Sequence, residues 1–138
     1  MILIDLNVLL DVLQKREPHY QASAAVIEQV VAKRTPATLP VHAITTVHYI
    51  VERYQDTTEA DRAVDWLLKH FTIVSIGHAE LLRARSLNCA DFEDAVVAAA
   101  AETAACTAII TRNVKDFRDS PVPALTPEEY LLDVNHQS

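Results

Sequence analysis

The stretch that most constrains the fold lies at residues 87–102, where a cluster of acids runs directly into a series of alanines and valines. Apolar residues recur there at steps of three and four, in alanine-rich company that favours a helical backbone. This spacing predicts a helix whose packing face is made of Phe92, Ala95, Val96, Ala99 and Ala100. We therefore expect a buried helix, against which other elements must pack.

The acids at the start of this helix have two interpretations. Asn88 or Asp91 can cap the helix by accepting a hydrogen bond from a free amide of the first turn, where negative charge also suits the helix dipole. Asp91 and Asp94 are three residues apart and share a face, whereas Glu93 points elsewhere. Acids in a first turn are usually caps in contact with solvent. Only acids from other parts of the chain would turn this face into a site.

Composition sets the class of protein. The chain has 138 residues, half of them hydrophobic, which suffices for one domain spanning residues 1–138 with its own core. It lacks an apolar run of the roughly 18 residues needed for a membrane helix and shows no signal peptide, so we expect a cytoplasmic protein without a membrane partner. Cys89 and Cys106 match no metal-binding spacing and are expected to be free thiols.

The single glycine and the net charge of -7 argue against two further kinds of binding site, a nucleotide-binding loop and a broad basic surface for nucleic acid. Loops that cradle nucleotides need glycine for positive φ and for close approach to phosphate, so we expect no nucleotide cofactor. An acidic chain does not bind nucleic acid through a broad basic surface. A phosphate-bearing substrate would need metal ions or a local basic patch.

Short apolar or β-branched stretches alternate with stretches of helical spacing along the chain. Strands are predicted at residues 1–5, briefly within 35–40, and at 71–76 and 106–111. Helices are predicted at residues 7–13, 19–34, 43–54 and 78–86. Two further helices are predicted, one capped by Thr57 or Thr58 and one capped by Thr126. Trp66, Leu67 and Leu68 are assigned to the core. This alternation predicts an α/β fold with a central, mostly parallel sheet and helices on both faces.

Three separate segments bring acids toward one edge of that sheet. Asp5 ends the first strand, Asp94 with Asp91 begins the alanine-rich helix, and Asp116 follows a later strand. Open α/β sheets bind ligands at the carboxyl ends of their strands. Clustered carboxylates repel one another, and a hard divalent cation such as Mg²⁺ or Mn²⁺ is the usual compensation. The acids together therefore indicate a metal site.

Four motifs, in order, cover essentially the whole chain: Ile-Asp-Leu-Asn-Val at residues 4–8, Asp-Phe-Glu-Asp and the apolar run at 91–101, Ile-Thr-Arg-Asn-Val-Lys-Asp-Phe at 110–117, and Thr-Pro-Glu-Glu-Tyr-Leu at 126–131. The sequence thereby resembles the PIN domain, the nuclease fold of VapC-type toxins from bacterial toxin–antitoxin pairs. The resemblance implies a PIN-like α/β fold and Mg²⁺- or Mn²⁺-dependent hydrolysis of RNA phosphodiester bonds.

The resemblance also assigns roles to residues. Asp5 and Asp94 fall on catalytic, metal-binding acids of the family, and Asp116 and Asn113 fall where the family places its last acidic or amide group. Asp116 is thereby implied as the third catalytic, metal-binding acid. Thr111 occupies a position that the family often fills with a hydroxyl that steadies the site. The implied partners are an RNA substrate, a cognate antitoxin and a second copy of the chain as a homodimer. Arg112 and Lys115, with Arg118 and Arg53 nearby, are the basic groups best placed to hold an RNA backbone.

One position departs from the family pattern. PIN nucleases usually carry a glutamate early in the helix predicted at residues 43–54, and this chain has Thr46 or a neighbour there. His48 and Glu52 are four residues apart and share a face of this helix, so either is a candidate to replace the missing glutamate. Glu52 is more simply explained as a solvated acid on the helix surface. Asp91 is a further auxiliary candidate. The missing acid keeps a second function open, a PIN fold that binds RNA or protein with little or no turnover.

Overall fold

The computed structural model describes residues 1–137, with side chains to residue 135. The helices are α1 (Leu6–Leu13), α2 (Tyr20–Val31), α3 (Val41–Tyr54), α4 (Thr57–His70), α5 (His78–Ser86), α6 (Phe92–Thr103) and α7 (Pro127–Gln137). The strands are β1 (Ile2–Ile4), β2 (Ala37–Pro40), β3 (Thr72–Val74), β4 (Ala108–Ile110) and β5 (Ala124–Leu125), and a 3-10 helix spans Val114–Phe117. None of the helices within residues 1–137 combines the length and hydropathy needed to cross a bilayer.

The five strands form one parallel sheet in the order β3-β2-β1-β4-β5. This confirms the predicted α/β class. Strands β2 and β3 lie on one side of β1, and β4 and β5 lie on the other. Ile110 of β4 pairs with Ile4 of β1. The carboxyl ends of β1 and β4 therefore meet where the strand order reverses, which is where open α/β sheets leave a crevice for ligands.

The core lies on both faces of the sheet because side chains alternate along each strand. Ile2 and Ile4 pack with α1, α2, α3 and α7 on one face. Leu3 and Ile109 pack with α6 on the other, where the alanines of that helix are almost fully buried. Small side chains let α6 approach the sheet closely, so its first turn ends up near the crevice between β1 and β4.

The predicted packing of two helices was partly wrong. Phe92 is 50% exposed, because close packing of α6 begins only at Ala95. Leu67 is fully buried as predicted, but Trp66 is 37% and Leu68 53% exposed. Helix α4 lies against α3 and buries only a narrow edge there, so two of the three apolar side chains remain outside.

The helix starts follow capping chemistry. Asp56 caps α4 by accepting from the Glu59 amide at 2.8 Å, so the predicted cap at Thr57 or Thr58 was wrong by one or two positions. At α7 the predicted capping box is confirmed: the Glu129 amide donates to the Thr126 hydroxyl and the Thr126 amide to the Glu129 carboxylate, each at 3.1 Å. Such caps stabilise a helix end by about 1 kcal/mol.

Candidate active site

Asp5 stands at the junction between β1 and α1. Its backbone amide donates to the Ile110 carbonyl of β4 at 2.9 Å, so the sheet fixes its main chain. Its carboxylate caps α1, with Oδ1 accepting from the Leu6 amide at 2.8 Å. Oδ2 accepts from the Thr111 hydroxyl, also at 2.8 Å. Both oxygens are therefore held in one orientation.

Thr111 and Asn7 complete the support of that carboxylate. Asn7 Nδ2 lies 3.2 Å from Asp5 Oδ2 and 3.3 Å from Thr111 Oγ1, while the Asn113 amide donates to the same hydroxyl at 3.1 Å. The hydroxyl thus both donates and accepts, and Thr111 is fully buried. Its steadying position is the one that the resemblance implied. Asn7 was present in the opening motif, but its spacing alone did not identify its role.

Asp94 faces Asp5 from the first turn of α6. Burial and, in decreasing order, the charges of Asp5, Asp91, Asp116 and Glu93 together raise the pKa of Asp94 to about 6. Burial likewise raises the pKa of Asp5, against the lowering effect of its hydrogen bonds from Thr111 and Leu6. The structure therefore brings the three predicted acids into one repulsive electrostatic cluster.

Glu93 was predicted to point away from the face shared by Asp91 and Asp94, and its side chain is exposed. Its charge contributes to the raised pKa values of both Asp5 and Asp94. Glu93 Oε1 also lies 3.8 Å from Nε2 of His42, at the start of α3, so the pair links α3 to α6 beside the cluster. Glu93 therefore lies toward α3 from the first turn of α6, and its charge is the weakest of the four that act on Asp94.

Asp116 and Asn113 belong to the segment that follows β4. Asp116 lies in the 3-10 helix and Asn113 immediately precedes it. Asp116 also lines a cavity of about 270 Å³ together with Asn88, Cys89, Ala90, Lys115, Arg118 and Asp119. Burial and the charges of Asp94 and Asp119 raise the pKa of the Cys89 thiol, which places this cavity next to the acidic cluster.

Asp91 is the cap of α6, as predicted. Its Oδ1 accepts from the Glu93 amide at 2.7 Å, and the side chain is exposed. The cap holds the first turn of α6 and adds negative charge beside Asp94.

The candidate substitutes for the family glutamate are engaged elsewhere. His48 Nε2 lies 2.9 Å from Asp61 of α4, and Glu52 accepts from the Thr57 hydroxyl at 3.0 Å. Both therefore face α4 and are not brought to the cluster. Thr46 is half-buried, and its hydroxyl donates to the His42 carbonyl at 3.0 Å.

The two predicted RNA-binding cations differ in environment. Lys115 is exposed and lines the cavity beside Asp116. Arg112 is largely covered, and its Nε lies 2.8 Å from Oδ2 of the fully buried Asp11. Asp11 was not identified from the sequence; the available signal was a single acid in the otherwise apolar run of α1.

The cluster consists of oxygen donors, which are the ligands that hard divalent cations prefer. Within the described part of the chain, no three acidic, histidine or cysteine side chains stand close enough together to enclose an ion as they are arranged. Mutual repulsion of ionised carboxylates favours such separation, and after burial this repulsion is the second cause of the raised pKa of Asp94.

Both a family sequence model and solved structures match this chain. The sequence model described as PIN domain matches residues 1–115, from β1 through the first part of the 3-10 helix. This chain belongs to the PIN domain family. The match contains Asp5, Asp94 and Thr111, and it ends one residue before Asp116.

Individual known proteins resemble nearly the whole length of this chain. Ribonuclease VapC1 of Aquifex aeolicus (strain VF5) is 26% identical over 134 residues, covering 94% of this chain and 92% of the relative. A toxin–antitoxin complex from Klebsiella pneumoniae contains a chain with a TM-score of 0.70 and 22% identity, covering 92% of this chain and 98% of that one. FitAcB from Neisseria gonorrhoeae gives a TM-score of 0.71 and 18% identity, covering 93% and 99%.

Proposed function

We propose that this PIN domain is a divalent-metal-dependent endoribonuclease and the toxin of a toxin–antitoxin pair. The observation that carries the proposal is the convergence of Asp5, Asp94 and Asp116 where the strand order of the sheet reverses. The similarity to a protein named Ribonuclease VapC1 supports RNA as the substrate.

Asp5, Asp94 and Asp116 would hold Mg²⁺ or Mn²⁺, since each presents carboxylate oxygens. A bound ion in such a site activates water and stabilises the negative charge that develops on the phosphoryl group. The Leu6 amide and the Thr111 hydroxyl keep the two Asp5 oxygens in a fixed direction. Glu93, like Asp91, is a further acid near these three, and we assign to Glu93 the electrostatic role of the glutamate that Thr46 replaces.

Lys115 and Arg118 are the groups that we propose contact the RNA backbone. Both line the cavity that contains Asp116, and neither is drawn into an ion pair among residues 1–135. On a chain of net charge -7, such a local pair of cations can hold phosphate close to the acids while the remaining surface repels it. We do not assign Arg112 to this surface because Asp11 engages its guanidinium.

Partners follow from the same proposal. The neighbour from Klebsiella pneumoniae is described as a toxin–antitoxin complex, which supports a protein antitoxin as a partner of this chain. We further propose that the protein acts in the cytoplasm, where its substrate RNA resides, and as a homodimer. Co-expression with the product of an adjacent small reading frame, followed by size-exclusion chromatography, tests the antitoxin and the oligomeric state together.

A second function is favoured by one observation, the replacement of the family glutamate by Thr46. A PIN fold that binds RNA or a protein without cleaving it needs no fourth carboxylate. Calorimetry with Mn²⁺ separates the two functions, because a ribonuclease must bind the metal whereas a binding module is expected to bind RNA without it. No Mn²⁺ binding at millimolar concentration would favour the binding module.

The test compares the wild type with Asp5→Asn and Asp94→Asn, each of which removes one charge and keeps the side-chain volume. With Mn²⁺ or Mg²⁺ the wild type should cleave a mixed RNA pool, EDTA should stop cleavage, and both variants should be inactive and bind Mn²⁺ weakly in calorimetry. Asp65→Asn, at an exposed acid of α4, is the matched control and should remain active. Intact RNA with the folded, metal-loaded wild type contradicts the ribonuclease proposal.

A further inference from the structure

Helix α1 contains one acid, Asp11, which has no solvent exposure. An ionised carboxylate is costly to bury unless charges or donors compensate. The Ser23 hydroxyl of α2 donates to Asp11 Oδ2 at 3.1 Å, and Arg112 Nε lies 2.8 Å from the same oxygen. The Nε–H is not aimed at that oxygen, so this contact is an ion pair rather than an aligned hydrogen bond. Oδ1 has no hydrogen-bond partner among residues 1–135.

Arg112 is held at two points by one face of α1. Asn7 and Asp11 are four residues apart and therefore lie on the same side of the helix. Asn7 Oδ1 accepts from the Arg112 backbone amide at 3.3 Å, and Asp11 holds the guanidinium. The segment after β4 is thereby docked onto α1 through both the main chain and the side chain of a single residue.

This docking bears directly on Asp5. Arg112 follows Thr111, whose hydroxyl donates to Asp5 Oδ2, and precedes Asn113, whose amide donates to that hydroxyl. A small rotation of the backbone at residue 112 would move both groups relative to the carboxylate. Groups that orient metal ligands in this way typically affect metal affinity by about 10- to 100-fold.

We propose that Asp11 is a positioning residue of the active site. Through Arg112 it fixes Thr111 and Asn7, and these orient the Asp5 carboxylate. The effect on metal binding rests on the proposed function, whereas the effect on the backbone after β4 does not. In this proposal Arg112 supports the active site by pairing with Asp11 and does not contact the RNA backbone.

Amide hydrogen exchange on the full-length, metal-free protein tests the positioning itself. Asp11→Asn keeps an acceptor for Ser23 and removes the charge that holds Arg112. The amides of Arg112 and Asn113 should then exchange about tenfold faster. The Ile109 amide, which donates to the Pro123 carbonyl just before β5, reports global opening. Ser23→Ala, which removes the other partner of Asp11, is the control and should leave both amides unchanged. Equal acceleration in both variants, or none in Asp11→Asn, overturns the proposal.

Metal binding and kinetics test its consequence. Asp11→Asn should lower Mn²⁺ affinity about tenfold and lower kcat while leaving the KM for RNA unchanged. Asp11→Asn combined with Arg112→Gln should be no worse than Asp11→Asn, because both residues act through one contact. The double variant leaves neither charge unpaired, so it also replaces the single variant if that fails to fold. An unchanged Mn²⁺ affinity, or a raised KM with normal kcat, overturns the proposal. A wild type that binds no Mn²⁺ contradicts the proposed function instead, and hydrogen exchange still decides the positioning role.

Discussion

Replacing Asp94 by asparagine is expected to stabilise the metal-free protein at neutral pH. Burial and four neighbouring acids raise the pKa of Asp94 from 3.8 to about 6. A difference of one pKa unit corresponds to about 1.4 kcal/mol, so the full penalty for ionising this group in the folded state is about 3 kcal/mol. Asp94 is only half-buried and solvent screens part of the repulsion. We therefore expect Asp94→Asn to raise the free energy of unfolding by about 1.5 kcal/mol at pH 8.

The sign of the pH dependence follows from proton counting. Between pH 3.8 and about 6 the folded chain retains a proton on Asp94 that the unfolded chain has already released. The native state thus binds more protons in this window, and stability must fall as pH rises through it. Above it both states are ionised and the repulsion is complete. The variant lacks this contribution, so its advantage over the wild type should grow from pH 4.5 to pH 8.

Urea unfolding followed by circular dichroism, in EDTA at pH 4.5 and pH 8, measures the difference directly. Asp65→Asn removes the same charge from an exposed position on α4 and controls for net charge; it should change stability by no more than about 0.5 kcal/mol. Equal stability of Asp94→Asn and Asp65→Asn at pH 8 would refute the electrostatic cluster. So would an advantage of Asp94→Asn that does not change with pH.

Three further predictions concern other residues. Glu93→Gln should weaken Mn²⁺ binding about tenfold in calorimetry, because the Glu93 charge acts on Asp5 and Asp94. Glu28→Gln, at an exposed acid of α2, is the control and should bind Mn²⁺ like the wild type. Equal Mn²⁺ affinities of the two variants would show that Glu93 does not belong to the site. Leu67→Ala should cost about 2–5 kcal/mol in urea unfolding and Leu68→Ala less than about 0.5 kcal/mol, since only Leu67 is buried; similar costs would contradict the orientation of α4. Thr126→Ala should cost about 1 kcal/mol by losing the capping box, and an unchanged urea midpoint would show that the box contributes nothing.

Local rules predicted the elements of the fold well because their signals are local. Helix α5 has the predicted bounds, and the capping box at Thr126 needs only four residues to form. The alternation of strands and helices was enough to predict a parallel sheet. The bounds of α2 and the strands were predicted too wide by up to three residues at an end, because apolar spacing continues past the last hydrogen bond.

The misjudged contacts all depend on tertiary packing. The contact of Glu93 with His42, which was not predicted, depends on the rotation of α6 about its axis, and the packing of its alanines on the sheet determines that rotation. Likewise, His48 and Glu52 share a face as predicted, but that face meets α4 rather than the acids. The pairing of Asp11 with Arg112 joins residues far apart in sequence and has no local signature.

Metal binding by this cluster should be linked to proton release. Asp94 must be ionised to coordinate a cation, and its pKa of about 6 means that below this pH an ion has to displace a proton. Mn²⁺ affinity should therefore fall by about tenfold per pH unit below pH 6 and level off above pH 7. Calorimetry at pH 5.5 in two buffers of different ionisation enthalpy counts the protons released, and we expect a value between about 0.5 and 1. In Glu93→Gln the removal of a neighbouring charge should shift the onset of this decline to lower pH. An affinity independent of pH from 5 to 7 would show that Asp94 does not coordinate the ion.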